Sequence, residues 1–152
     1  MIARLLIPGL VAVLLAPSLA GAQDPFGTYS YVKGQRGDQP VAADDLKGNT
    51  VTIEEGKLSL IGDDGAVQFE IRYVIDDEPE EGTYRATLEI VKSSLMEDAV
   101  GVKAKALARH DGNELTLIYD FGGTDYPESF EPKAPTQHLF VLKKAPAAAA
   151  GN

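Results

Sequence analysis

The sequence predicts an all-β domain: an antiparallel up-and-down barrel of about eight short strands with one short helical turn. Three observations predict it. Apolar and polar residues alternate with a period of two along most of the chain, glycine-centred turn pairs separate the alternating runs, and no cysteine is present to staple an irregular fold. The alternation is clearest in Val67-Gln68-Phe69-Glu70-Ile71-Arg72-Tyr73. Successive side chains of a strand point to opposite faces, so Val67, Phe69, Ile71 and Tyr73 share one face and the polar residues the other. The same pattern predicts strands over 28–33, 50–54, 57–61, 67–73, 85–91, 100–109, 114–121 and 138–143. Between them lie Glu55-Gly56, Asp64-Gly65, Glu81-Gly82 and Asp111-Gly112-Asn113, where glycine supplies the positive φ of a tight hairpin. Only 40–47 reads as helical, with Pro40 and Asp44-Asp45 near its start and Gly48 just past its end. A meander with one apolar face leaves unpaired edges unless it closes, which makes a barrel the economical solution.

The ends of the chain carry a different composition. Residues 1–22 read as a removable secretory signal: a basic start ending at Arg4, an apolar run over 5–15, and Ala20 and Ala22 in the small-x-small pattern before a cleavage site. That run is well short of the ~20 residues needed to span a bilayer, and Pro8 interrupts it. Residues 23–26 form a short lead, 27–144 the folded domain, and 145–152 an Ala-rich tail expected to be disordered. The expected location is outside the cytoplasm, either periplasmic or extracellular. A single domain of this size buries roughly two-thirds of its unfolded surface, enough to fold without disulfides.

Of the 14 Lys and Arg only Arg4 lies in the leader, whereas all 23 Asp and Glu lie beyond it, so the mature charge is near −10. Such a surface repels phosphate backbones and anionic lipid, which argues against nucleic-acid binding and membrane docking. A transmembrane barrel is disfavoured too, because Glu70, Arg72, Glu89, Lys103 and Lys105 fall on the outward face, where hydrocarbon would penalise them.

Several short motifs occur in a characteristic order: Gly27-Thr28-Tyr29, Asp45-Leu46-Lys47-Gly48, Asp111-Gly112-Asn113-Glu114-Leu115, Tyr126-Pro127 with Phe130, and Leu139-Phe140-Val141-Leu142-Lys143-Lys144. Together they resemble an uncharacterised exported domain family, abundant in planctomycetes and similar to lipocalins. The resemblance covers nearly all of 27–144 and implies a lipocalin-like barrel, but brings no known activity. It also implies that Tyr29 takes the place of the usual Trp in the G-x-W motif, whose aromatic plugs the closed end. Tyr126-Pro127 stands where Arg-Pro is frequent in the family, so the arginine that commonly stacks on that aromatic is replaced.

Little in the chain suggests catalysis. Two histidines and no cysteine leave scant material for nucleophilic arrangements, and G-x-S-x-G is missing. Ser30-Tyr31-Val32-Lys33 matches Ser-x-x-Lys, but regular strand geometry sends the two ends to opposite faces and the companion motifs are absent. His110 reads as a solvated turn residue and His138 as a residue at the barrel rim, without the spacing of a metal pair. The run Asp76-Asp77-Glu78-Pro79-Glu80-Glu81 reads as a wet interstrand loop and lacks the spacing of a calcium loop. No enzyme activity, metal or cofactor is therefore expected.

The remaining lead is the barrel interior. Tyr31, Val51, Ile53, Leu58, Leu60, Phe69, Ile71, Tyr73, Leu88, Ile90, Leu115, Leu117, Tyr119, Leu139 and Val141 are predicted to point inward. An eight-stranded barrel is either just filled by side chains or holds one small ligand. The inward column Val102, Ala104, Ala106 and Ala108 is small and argues for space, although close packing makes a filled interior the default. The candidate ligand-binding residues are Tyr31, Phe69, Ile71, Tyr73, Leu117 and Tyr119, facing a small apolar or amphipathic ligand. The competing expectation is an interaction domain with a solid barrel, meeting a basic partner or cations through its acidic loops.

Overall fold

The structure, a computed structural model, describes residues 24–145. The predicted leader, Gln23 and the tail from 146 onward lie outside the described residues. The chain forms β1 (Gly27–Arg36), β2 (Gln39–Pro40), α1 (Ala43–Leu46), β3 (Thr50–Glu54), β4 (Lys57–Ile61), β5 (Val67–Glu80), β6 (Thr83–Ser93), a 3-10 turn at Glu97–Ala99, β7 (Lys103–Asp111), β8 (Glu114–Phe121) and β9 (Gln137–Lys144). Eight strands run β1-β3-β4-β5-β6-β7-β8-β9, each antiparallel to its neighbour, and β9 returns to β1 to close the barrel. The two-residue β2 is an appendage paired to the end of β1. Pro40 sits in it rather than opening the predicted helix, and α1 is a single turn.

Closure depends on a local irregularity in β1. The β1–β9 register shifts between Tyr31 and Lys33, a bulge that adds a residue to β1 and re-aims everything after it. Gly34 and Arg36 consequently face inward opposite Phe140 and His138. Gly34 must lack a side chain, because a Cβ there would lie 2.6 Å from the Phe140 ring. The bulge also sends both Ser30 and Lys33 to the exposed outer face, so the regular-strand reading of that pair does not hold.

Two further expectations fail for identifiable reasons. The acidic run from Asp76 to Glu80 is not a loop: β5 continues through it, pairing Ile75 with Ala86, Asp77 with Arg85 and Glu80 with Thr83. Each early acid has a partner on the outer face. Asp77 meets Arg85 at 3.0 Å, and Asp76 Oδ2 accepts from Thr87 Oγ1 at 2.7 Å and the Tyr126 hydroxyl at 2.6 Å. These hydrogen bonds lower the Asp76 pKa, that from Tyr126 most. On β9 the predicted parity is reversed: Leu139 and Val141 face outward, and Phe140 and Leu142 face in, as the pairs Leu117–Phe140 and Leu115–Leu142 require. The strand predicted over 100–109 is also displaced, to Lys103–Asp111, because 100–102 follow the 3-10 turn before pairing resumes at Lys103.

The outer surface has two characters. Over β5 and β6 it carries charged cross-strand pairs, Arg72 with Glu89 and Glu70 with Lys92, a composition that faces water. Over β7–β9, by contrast, Leu107, Thr116, Ile118 and Val141 are buried although they point away from the interior. The 122–136 connection folds back over this face, with Pro127 buried, the Tyr126 ring 5.0 Å from Lys105 Nζ and the Phe130 ring 4.6 Å from the Arg109 guanidinium. That cover lets β9 be apolar on both faces.

Candidate functional site

The interior is hollow. A cavity of about 1150 Å³ runs through the barrel, lined by residues from every barrel strand and from both ends. The close-packed interior expected by default is therefore not found. The column on β7 supplies part of the space: Ala104 and Ala108 line the cavity and Ala106 is fully buried beside them, with Ala86 next to Ala106 on β6. A Leu at Ala104 or Ala108 would project several atoms into that volume.

All six candidate residues, Tyr31 on β1, Phe69, Ile71 and Tyr73 on β5, and Leu117 and Tyr119 on β8, line the cavity. The residues missed by sequence reasoning are Phe140 and Leu142, hidden by the parity of β9, and a rim set in which Arg36 and His138 matter most. The alternating pattern of β9 carries no signal that distinguishes its two faces. Arg36 lies beyond the end of the predicted first strand, and only the bulge turns it inward.

The two ends differ. One is covered by the lead segment: Phe26 and Pro25 line the cavity, the Lys144 ammonium donates to the Asp24 carbonyl at 2.8 Å, and the Tyr29 hydroxyl donates to the Pro25 carbonyl at 2.8 Å. Tyr29 itself is 0% exposed and belongs to the core beneath this cover. The other end is a mouth framed by α1, which contributes Leu46, and by the 94–102 connection, which contributes Leu95 and Met96. Leu95 and Met96 are 59% and 57% exposed, an apolar pair at the entrance.

Polar lining is confined to these ends. Arg36, Asp45, Asn49, Gln68, Asp98 and His138 are at the mouth, and Glu55 and His110 at the covered end, with an apolar middle between them. Tyr119 stacks on Phe140 with centroids 6.1 Å apart and lies 5.5 Å from the His138 ring, and Tyr31 meets Phe140 edge-on at 5.4 Å. Burial pushes the Tyr31 phenol up to about 12 and raises the Tyr119 phenol further, with the Arg36 charge opposing the rise in both.

His110 is not the solvated turn residue expected. His110 is half-buried, and its Nε2 is buried without a hydrogen-bond partner among the described residues. His138 lies at the rim, in contact with Tyr119 and Phe121. Burial lowers both imidazoles below the usual 6.5, reinforced by the Lys144 charge at His110 and the Arg36 charge at His138. The neutral rings are favoured when folded, and the unfolded chain takes up the protons more readily. Stability from this source is complete above about pH 6.5 and is lost as the pH falls through the lowered folded values. Urea denaturation is expected to show weaker folding at about pH 5 than at about pH 7.5, and His110→Gln with His138→Gln to flatten that difference. An unchanged slope in the double variant would assign the acid limb to other groups.

Among the described residues, no three His, Asp or Glu side chains come together as a metal site. No family model matches the chain, and neither a curated protein nor a solved structure is significantly similar to it.

Proposed function

We propose that this protein is an exported, non-catalytic carrier that holds one small apolar or amphipathic molecule inside its barrel. The observation that supports this reading is the continuous cavity of about 1150 Å³, apolar along its middle and polar only at its ends. Protein interiors are normally close-packed, and empty apolar space on this scale forfeits dispersion contacts throughout its lining. A ligand restores those contacts. Membership in the exported lipocalin-like family belongs to the same proposal and rests on the ordered motifs from Gly27-Thr28-Tyr29 to Lys143-Lys144. The expected place of action is the periplasm or the extracellular space, where a cysteine-free barrel needs no redox control.

The experiment is native mass spectrometry of the purified protein combined with titration of Nile red, a neutral apolar dye. A bound endogenous mass, or dye fluorescence that saturates at one molecule per chain, is the expected result. No bound mass and no dye uptake would overturn carriage. The alternative, a solid barrel whose acidic loops meet a basic partner or cations, is less well supported by the hollow interior and the laddered β5–β6 hairpin than carriage is.

A further inference from the structure

Among the described residues that line the cavity, Arg36 is the one Lys or Arg. Its surroundings are set by the strand register rather than by chance of rotamer. Arg36 pairs across the closure with His138, His138 with Tyr119, and Tyr119 with Ala106, so four adjacent strands present one inward row at the mouth. Tyr31 enters from β1 two inward positions deeper, past Gly34 and the bulge, and meets Phe140 edge-on. Among the described residues Arg36 makes no ion pair, although the protein carries a large excess of carboxylates.

Three of the cavity-lining phenols, Tyr31, Tyr84 and Tyr119, lack a protein acceptor among the described residues, and Tyr31 and Tyr119 are the two that the Arg36 charge reaches. Tyr29, Tyr73 and Tyr126 each donate their hydroxyl to a protein oxygen, at 2.8, 2.8 and 2.6 Å. Tyr31 and Tyr119, the tyrosines next to the mouth, have no such acceptor among the described residues. An interior hydroxyl without a partner is costly, so its acceptor has to come from the cavity. Arg36 brings a guanidinium with a planar fork of N–H groups to this spot, and the two phenols bring an O–H group each. A carboxylate is the group that matches such a set, because it accepts from every member and neutralises the arginine.

Resting on the carrier reading above, we infer that the ligand is a single-chain amphiphile with a carboxylate head. The head is held at Arg36, Tyr31 and Tyr119, and the tail runs down the apolar interior toward Phe69, Ile71 and Leu117. Asp45 and Asp98 also line the mouth, and they oppose an anion unless the head lies on the Arg36 side. The Arg36 charge acts on both phenols and on the His138 ring, whereas those of Asp45 and Asp98 act on none of the three and Asp120 acts on the His138 ring alone. Glu55 at the covered end disfavours the reversed orientation.

The test is displacement of Nile red from the purified protein by palmitate, methyl palmitate and hexadecylamine, which share a tail and differ in the head. Palmitate is expected to bind at least about tenfold tighter than the ester, as a charge-assisted hydrogen bond implies. Arg36→Gln should remove that preference, with palmitate losing at least about tenfold and falling to the affinity of the ester, and Tyr31→Phe and Tyr119→Phe should each weaken palmitate more than ester. Equal affinity for palmitate and ester, or preference for the amine, would overturn the head-group assignment while carriage stands. Failure of all three to displace dye that does bind would likewise refute the assignment, and failure of the dye itself to bind would remove the carrier reading beneath it.

Discussion

Tyr29→Ala is expected to destabilise the domain by about 3 to 5 kcal/mol, the range for truncating a large buried aromatic, and to lower Tm by more than about 10 °C. Tyr29 is 0% exposed, paired with Val51 on β3 and Lys144 on β9, and it belongs to the core cluster with Ile53, Leu115 and Leu142. It therefore ties the first and last strands to β3 where the barrel closes. Its hydroxyl also fixes the lead segment through the Pro25 carbonyl. Against a total stability of roughly 5 to 15 kcal/mol, the loss is a large fraction. Tyr29→Phe separates the two contributions: it keeps the ring and removes the hydrogen bond, so about 1 kcal/mol is expected. Guanidinium denaturation of both variants is the measurement. An Ala variant with unchanged midpoint would show that the covered end does not depend on this ring.

What could be read in the sequence, and what could not, follows from which faces of each strand meet water. On β5 the wet face carries Gln68, Glu70 and Arg72, so the inward set Phe69, Ile71 and Tyr73 is visible in the alternation itself. On β9 the run Leu139-Phe140-Val141-Leu142 is apolar on both sides because the 122–136 connection covers the outside. With no polar face to mark the outside, parity had to be guessed. The bulge after Tyr31 is equally silent: regular alternation from Tyr31 would send Arg36 outward, and one extra residue in β1 turns it to the mouth of the cavity. The acidic stretch of β5 misled in a different way. Asp76 and Asp77 are accommodated in a ladder by Thr87 and Arg85 on the paired strand β6 and by Tyr126, which lies 50 residues beyond Asp76 in the chain. The small column on β7 was legible residue by residue. Whether bulky neighbours would reach across to fill it was not, because that depends on the diameter of the closed barrel.

The same column provides the strongest test of whether the space is used. Ala108→Trp is expected to reduce binding of Nile red and of palmitate by at least about tenfold while leaving the fold intact. Ala108 lines the cavity in a row with Tyr84, Leu117 and Phe140, so an indole there projects into open volume at mid-barrel, where a tail must pass. Added apolar burial in existing space stabilises rather than strains, so Tm should hold or rise. Ala106→Trp is the contrasting variant. Ala106 is 0% exposed between Ala86 and Tyr119, and with no room beside it the ring must push strands apart at a cost of about 1 to 3 kcal/mol or more. If Ala108→Trp folds and still binds both probes at full affinity, the ligands occupy some other surface and the barrel interior is not the site. If it folds and binds neither, while Ala106→Trp is merely destabilised, occlusion and not loss of structure accounts for the loss of binding.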